Sequence, residues 1–115
     1  MTDKIVILST CGSADEATRI ARALVEKRLA ACVNIGAPVQ SVYRWKGAIE
    51  EAPEIPLSIK STRELFPRVR AEIERLHSYE VPEIIAMPIV DGAEGYLLWL
   101  DHELTESPKP KSTER

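Results

Sequence analysis

Hydrophobic and polar positions follow two different periods along this chain, and their order predicts alternating strands and helices. Residues 5–8 form a short apolar run rich in β-branched side chains, which predicts a strand buried on both faces. Apolar residues then recur at helical spacing and predict a helix that ends near Leu29. Ser13, followed three residues later by Glu16, is a capping box that marks where this helix begins.

The later segments repeat these two patterns in the order strand, strand, helix, strand, helix. We expect a strand over residues 31–46, interrupted by a bend at 36–38, and a turn over residues 47–53. Alternation over residues 55–60 predicts a strand, which Pro56 places at a sheet edge. A second helix should cover residues 65–76, a buried strand 84–90 and a third helix 96–104.

The resulting β-α-β-β-α-β order with an additional C-terminal helix predicts a ferredoxin-like α+β sandwich, within the α/β class. We expect one domain over residues 1–106. Residues 107–115 contain two prolines and no apolar residue, so we expect a disordered tail there.

The composition and net charge of the chain limit the classes of partner and the cellular location that we expect. The 115 residues suffice for one hydrophobic core, and a net charge of −3 gives no indication of nucleic-acid binding. No apolar run is long enough for a membrane span, and a strand begins too early for a signal peptide. Two cysteines are too few for a disulfide framework, so we expect free thiols and a cytoplasmic location.

Residues 77–85 carry the most chemistry, because a His, a Tyr and two Glu share one helix-to-strand turn. We expect this turn to be exposed, and loops held by rigid elements often carry function. His77 could bind a metal ion or could cap the carbonyl groups at the helix end. Tyr79, Glu80 and Glu83 could supply oxygen ligands, although a carboxylate at a strand start is more often only solvated.

Cys11 lies where the first helix begins, so we expect the helix dipole to lower its thiol pKa and make it a better ligand. The alternative is a small residue that fills a loop. A copper-chaperone site would need a second cysteine three residues later, where Ala14 stands, and is excluded. The chain has no phosphate-binding glycine loop and no zincin histidine pair, so we do not expect an enzyme.

Tyr43 and Trp45 alternate with Arg44 and Lys46 along one predicted strand. The two aromatic side chains therefore share one strand face and the two cations the other. An aromatic pair of this kind is typical of a protein interface. The alternative is ordinary packing under the third helix.

Four segments resemble the divalent-cation-tolerance (CutA) family: residues 30–34 (AACVN), 41–50 (SVYRWKGAIE), 76–85 (LHSYEVPEII) and 96–100 (YLLWL). The resemblance implies a homotrimer of ferredoxin-like subunits, similar in architecture to nitrogen-regulatory PII proteins. It also implies a role in tolerance of divalent cations, copper above all. His77 matches the family's metal-linked histidine. The family's cysteine corresponds to Ser9 by register or to Cys11 two residues later.

The leading hypothesis is a non-enzymatic homotrimer that weakly binds copper or another divalent cation at His77, Cys11 and Glu83, with no organic cofactor. The alternative is a PII-like sensor that binds a small anionic effector between subunits, using Arg44, Lys46 or Lys60. An acylphosphatase-type enzyme on the same fold would need an arginine in the loop at residues 10–13, which has none.

Overall fold

A computed structural model describes residues 2–104, in which the first two helices pack on one face of an antiparallel sheet. In chain order the elements are β1 (Lys4–Cys11), α1 (Ala14–Glu26), β2 (Cys32–Ile35), β3 (Val39–Trp45), β4 (Ala48–Thr62), α2 (Phe66–Leu76), β5 (Ile85–Pro88) and α3 (Glu94–Leu104). The strand order is β2-β4-β1-β5, and β3 pairs with β4. This arrangement confirms the ferredoxin-like prediction. The predicted tail at 107–115 lies outside the described residues.

The core lies between the sheet and helices α1 and α2. Alternate residues of β1 (Ile5, Ile7, Ser9 and Cys11) are buried on this side, while those between them are only half-buried on the other. The strand predicted to be buried on both faces is therefore fully covered on one face only. None of the helices within residues 2–104 is long and apolar enough to cross a membrane.

The turn predicted over residues 47–53 is wrong, because the 15-residue strand β4 already begins at Ala48. The chain reverses at Lys46 and Gly47, both of which have positive φ, and β3 and β4 then form a two-stranded arm. Most residues of this arm are exposed. A strand that is solvated on both faces has no apolar alternation, which is why the sequence pattern did not reveal it.

The strand that contains Pro56 is central and not at an edge, since β4 pairs with both β1 and β2. The amide of Gly36 donates to the Pro56 carbonyl at 2.9 Å. Because the N and the C=O of one strand residue face the same side, the missing N–H of Pro56 faces the bend after β2. A central proline is tolerated here because regular pairing with β2 has already ended.

Helix α1 ends at Glu26, three residues before the predicted end. Arg28 adopts φ 57, and the Leu29 and Arg28 amides donate back to the carbonyls of Leu24 and Val25. This is the hydrogen-bond pattern of a Schellman motif, in which the left-handed position is usually a glycine. The prediction missed the end because Arg28 carries no helix-stop signal.

The strand predicted as buried over residues 84–90 is shorter and exposed. It is β5, an edge strand that pairs only with β1 among the described elements. Ile85 and Met87 lie opposite Leu8 and Val6 and share with them the sheet face that points away from α1 and α2. Ile85 is 52% exposed and Met87 is 46% exposed. Part of this apolar sheet face is therefore exposed in the single chain.

Candidate functional site

Three side chains with metal-binding atoms converge between the ends of β1 and α2. Cys11 ends β1, Glu16 lies in the first turn of α1, and His77 directly follows α2. One ligand atom from each lies within 4.8 Å of the other two, and all three residues are buried. The structure thus brings together two residues predicted from sequence, Cys11 and His77, and adds Glu16.

The hydrogen bonds of His77 determine its tautomer. The amide of Tyr79, which can only donate, lies 3.0 Å from Nδ1. Nδ1 is therefore an acceptor, and Nε2 carries the proton that is donated to the Thr10 carbonyl at 2.7 Å. Nδ1 also lies 3.9 Å from Oε2 of Glu16, so the ring presents its lone pair on the side of the cluster.

The exposure predicted for His77 is wrong, because its side chain is 0% exposed. The ring fits under the turn because both nitrogens have backbone partners, and a polar group is buried at low cost when it is hydrogen-bonded. Only the residues after it, among them Ser78 and Glu80, are exposed.

Glu16 connects the start of α1 to the turn after α2. Its amide donates to the Ser13 hydroxyl at 3.2 Å, which confirms the cap. Its carboxylate accepts hydrogen bonds from the amides of Ser78, at 2.6 Å, and Gly12, at 3.3 Å. Burial opposes the charged form, but the hydrogen bonds from Ser78 and Gly12 outweigh it and lower the Glu16 pKa.

The pKa of the Cys11 thiol is shifted in the direction opposite to the prediction. Burial, together with the negative charges of Glu16 and Glu54, raises the pKa of its thiol to about 11. Desolvation and the neighbouring carboxylates therefore oppose the ionisation that was expected at this helix start. The thiol is neutral near pH 7, and a metal ion would have to displace its proton.

A second feature, here called the arm cleft, lies between the β3–β4 arm and residues 79–83. It has a volume of about 760 Å³. Glu54 forms part of its wall and accepts hydrogen bonds from the Tyr79 hydroxyl, at 2.8 Å, and the Thr10 hydroxyl, at 3.3 Å. Burial and the charge of Glu54 raise the pKa of Tyr79. Glu83 also lines the arm cleft and does not belong to the cluster of Cys11, Glu16 and His77.

Tyr43 and Trp45 line the same arm cleft, and they are 43% and 40% exposed in the single chain. Packing under helix α3, the alternative from sequence, therefore does not bury them in the single chain. Their burial against a neighbouring subunit stays a prediction.

The structure does not bring together the cations expected to hold an anionic effector. Arg44 pairs with Ile49 in the arm, whereas Lys60 pairs with Cys32, eleven residues farther along β4. At about 3.4 Å per residue this is a separation of roughly 35 Å. No lysine or arginine lines the arm cleft within residues 2–104.

Sequence reasoning missed Glu16 and Glu54 as site residues. Glu16 had a signal, since the carboxylate of a capping box is held next to the helix start and therefore near Cys11. Glu54 had none, because it stands between the turn predicted over residues 47–53 and the strand predicted from residue 55. Only the pairing of the arm places its carboxylate beside Tyr79.

Comparison with known proteins gives consistent results. Residues 5–103 match the family model described as CutA1 divalent ion tolerance protein. The divalent-cation tolerance protein CutA of Thermus thermophilus is 48% identical over 95 residues, which cover 83% of this chain and 92% of that protein. The mouse protein CutA is 45% identical over 104 residues, which cover 90% of this chain but 58% of the mouse protein.

Solved structures agree with these matches. The structure described as the periplasmic divalent cation tolerance protein CutA from Archaeoglobus fulgidus has a TM-score of 0.86 and 43% identity, covering 89% of this chain and 99% of that one. CutA from Xylella fastidiosa has a TM-score of 0.88 and 38% identity, covering 90% of this chain and 100% of that one.

Proposed function

This chain belongs to the CutA1 divalent ion tolerance family, and on that premise we propose that it acts in divalent-cation tolerance by binding a metal ion at Cys11, Glu16 and His77. The observation that carries the proposal is the convergence of these three buried side chains, with ligand atoms within 4.8 Å of one another. The role we propose is binding and not catalysis.

The donor types favour a transition metal over a hard cation. A thiolate and an imidazole suit copper or zinc, whereas magnesium and calcium prefer sites made of oxygen atoms. The bond from Nε2 of His77 to the Thr10 carbonyl also fits this role, since metal-binding histidines usually donate their other N–H to a carbonyl or carboxylate. We therefore propose copper or another late divalent metal as the ion.

Binding should be weak at neutral pH for two reasons. The ion must displace the proton of Cys11, whose thiol pKa is about 11. Nδ1 of His77 must also give up the hydrogen bond from the Tyr79 amide, which is 3.0 Å long. A loosely held ion is compatible with a protein that responds to excess metal.

We propose a homotrimer as the working form. The support is the exposed Ile85 and Met87, which lie beside the half-buried Leu8 and Val6 on one sheet face, together with the exposed arm. Large exposed apolar patches mark interaction surfaces, and cyclic assembly lets each subunit cover its neighbour.

The test of the metal site is a copper titration of the wild type and the variants Cys11→Ser, Glu16→Gln and His77→Ala. We expect Cys11→Ser and His77→Ala each to weaken binding by at least about tenfold. In the wild type the affinity should rise about tenfold per pH unit between pH 6 and 9, because each bound ion releases the thiol proton.

Two matched controls separate this site from adventitious uptake. Cys32→Ser removes the other free thiol, which is half-buried and outside the cluster. Glu83→Gln removes a carboxylate of the arm cleft. Both should leave copper affinity unchanged, and equal affinities in all variants would refute the site.

A further inference from the structure

We propose that Tyr79 couples the metal site to the β3–β4 arm. When Nδ1 of His77 binds a metal ion, the Tyr79 amide loses its acceptor and the Tyr79 hydroxyl releases Glu54 at the base of the arm. This inference rests on the proposed metal binding and adds a structural response to it. The arm is then the part of the molecule that changes when the site is occupied.

The first observation is that two chains of hydrogen bonds join His77 to Glu54. In one chain, Nε2 of His77 donates to the Thr10 carbonyl at 2.7 Å, and the Thr10 hydroxyl donates to Oε2 of Glu54 at 3.3 Å. In the other, the Tyr79 amide donates to Nδ1 of His77 at 3.0 Å, and the Tyr79 hydroxyl donates to the same Oε2 at 2.8 Å. Thr10 and Tyr79 therefore each contact His77 through the backbone and Glu54 through the side chain.

The second observation is that Glu54 depends on these two hydroxyls to stay buried. It is 8% exposed, and it takes part in none of the ion pairs formed within residues 2–104. A buried carboxylate without a counter-ion is stable only while it is hydrogen-bonded. The bond from Tyr79 is shorter than the bond from Thr10, so its loss removes the stronger support.

The third observation is the position of Glu54 in β4. Ile55, the next residue, pairs with Cys11 at the end of the β1–β4 ladder. Glu54 itself pairs with Val39, the first residue of β3, and so belongs to the ladder of the arm. Release of the Glu54 side chain therefore loosens the base of the arm and leaves the sheet beneath it paired.

The bonds of the metal-free turn and metal binding exclude each other. Nδ1 of His77 has one lone pair, so it cannot accept the Tyr79 amide and bind an ion at the same time. Oε2 of Glu16, 3.9 Å from this nitrogen, accepts the amide of Ser78 at 2.6 Å. Two successive amides of the turn after α2 thus use candidate ligand atoms as acceptors. Metal binding must therefore move this turn, and with it the Tyr79 ring.

Coupling between two sites is reciprocal, so the Tyr79–Glu54 bond must also affect metal affinity. Tyr79→Phe keeps the ring and the backbone amide but lacks the hydroxyl. We expect this variant to bind zinc about three- to tenfold more tightly than the wild type, because the bond to Glu54 no longer has to be broken. A tyrosine with only a structural role would give weaker or unchanged binding when it is replaced.

A second measurement follows the wild type and does not depend on a variant folding. Zinc is the probe, since it suits Cys, His and Glu ligands and has no redox chemistry. Amide hydrogen exchange of the assembled protein should become at least about threefold faster over residues 50–56 and 78–80 when zinc is added. Residues 17–24, in the middle of α1, are the internal control and should not exchange faster.

Two variants make the exchange measurement specific. In Tyr79→Phe, zinc should no longer change the exchange of residues 50–56, because Glu54 has already lost this bond. Tyr96→Phe, which removes a tyrosine hydroxyl from α3, is the matched control. It should keep the wild-type zinc affinity and the wild-type exchange response.

The outcomes separate this inference from the proposed function. If zinc binding is lost in Cys11→Ser and His77→Ala but zinc leaves the exchange of residues 50–56 unchanged in the wild type, the metal site stands and the coupling is refuted. Equal or weaker zinc affinity in Tyr79→Phe also refutes the coupling, since reciprocity requires tighter binding. Absence of zinc binding at the cluster overturns both proposals.

Discussion

Glu72 on α2 forms ion pairs that connect α2 with the end of α1, the two helices that cover the core. Its Oε2 accepts hydrogen bonds from Lys27, which directly follows α1, at 2.8 Å, and from Arg75, at 2.7 Å. The side chain of Glu72 is only 9% exposed, while those of Lys27 and Arg75 are 50% and 60% exposed. The bonds from Arg75 and Lys27 lower the pKa of Glu72 to about 2.

This lowered pKa predicts a loss of stability in acid. A carboxyl with a folded pKa below its unfolded value stabilises the protein above the unfolded pKa, near 4.5, and loses that contribution as pH falls toward about 2. Because both partners are half exposed and screened by solvent, we expect a contribution of about 1 kcal/mol. Urea unfolding between pH 7 and pH 2 measures it.

Glu72→Gln should be less stable than the wild type at pH 7 and should converge with it near pH 2. Glu74→Gln, which removes an exposed carboxylate from the same helix, is the control and should follow the wild-type curve. Parallel curves for Glu72→Gln and the wild type across the whole range would contradict the assignment.

At the scale of elements, the close approach of the β2–β3 bend to β4 depends on one glycine. A Cβ added to Gly36 would lie 2.9 Å from Cγ of Pro56, which is closer than non-bonded carbons can approach. The Gly36 amide also donates to the Pro56 carbonyl at 2.9 Å. Gly36 and Pro56 therefore fit each other, and the long β4 passes from core to arm at this point.

Gly36→Ala should destabilise the protein by about 1–3 kcal/mol, because the new methyl group forces the bend away from β4. The double variant with Pro56→Ala should recover at least about 0.5 kcal/mol, since it removes the ring that clashes. Thermal or urea unfolding of the two single variants and the double variant gives the coupling. Strictly additive effects would show that the contact is not responsible.

The single chain exposes more apolar surface than is expected of a protein that remains a monomer. Ile49 and Val42 on the arm are 66% and 63% exposed, in addition to the exposed part of the sheet face. Such surface is unfavourable in water and is normally covered by a partner. This is the physical reason for expecting an assembly.

Trp45→Ala tests that assembly. If Trp45 is buried against a neighbouring subunit, its loss should cost on the order of 3 kcal/mol and shift the protein toward smaller species. Light scattering should give about three times 12.8 kDa for the wild type. Val25→Ala, at a 42% exposed position on α1, is the control and should keep the wild-type mass. A wild-type monomer at micromolar concentration would contradict the trimer, and an unchanged mass in Trp45→Ala would contradict this placement.

The sequence by itself determined the order of strands and helices. An element that buries one face repeats its apolar residues at its own spacing, and this spacing can be read directly from the sequence. Ser13 with Glu16 marked the start of α1, and the apolar stripes of α1 and α2 marked the faces that cover the sheet. The segment around His77 was likewise identified as a candidate site, since its residue types are chemically distinctive whatever their environment.

Tertiary structure alone decided the environment of those side chains. Local sequence predicted an ionisable Cys11 and an exposed His77, but packing of β1 against both helices buries them and raises the pKa of the thiol. The place of Glu54 in the arm cleft likewise depends on pairing between distant strands. Desolvation and strand pairing are set by contacts between residues far apart in the chain, so no local pattern can record them.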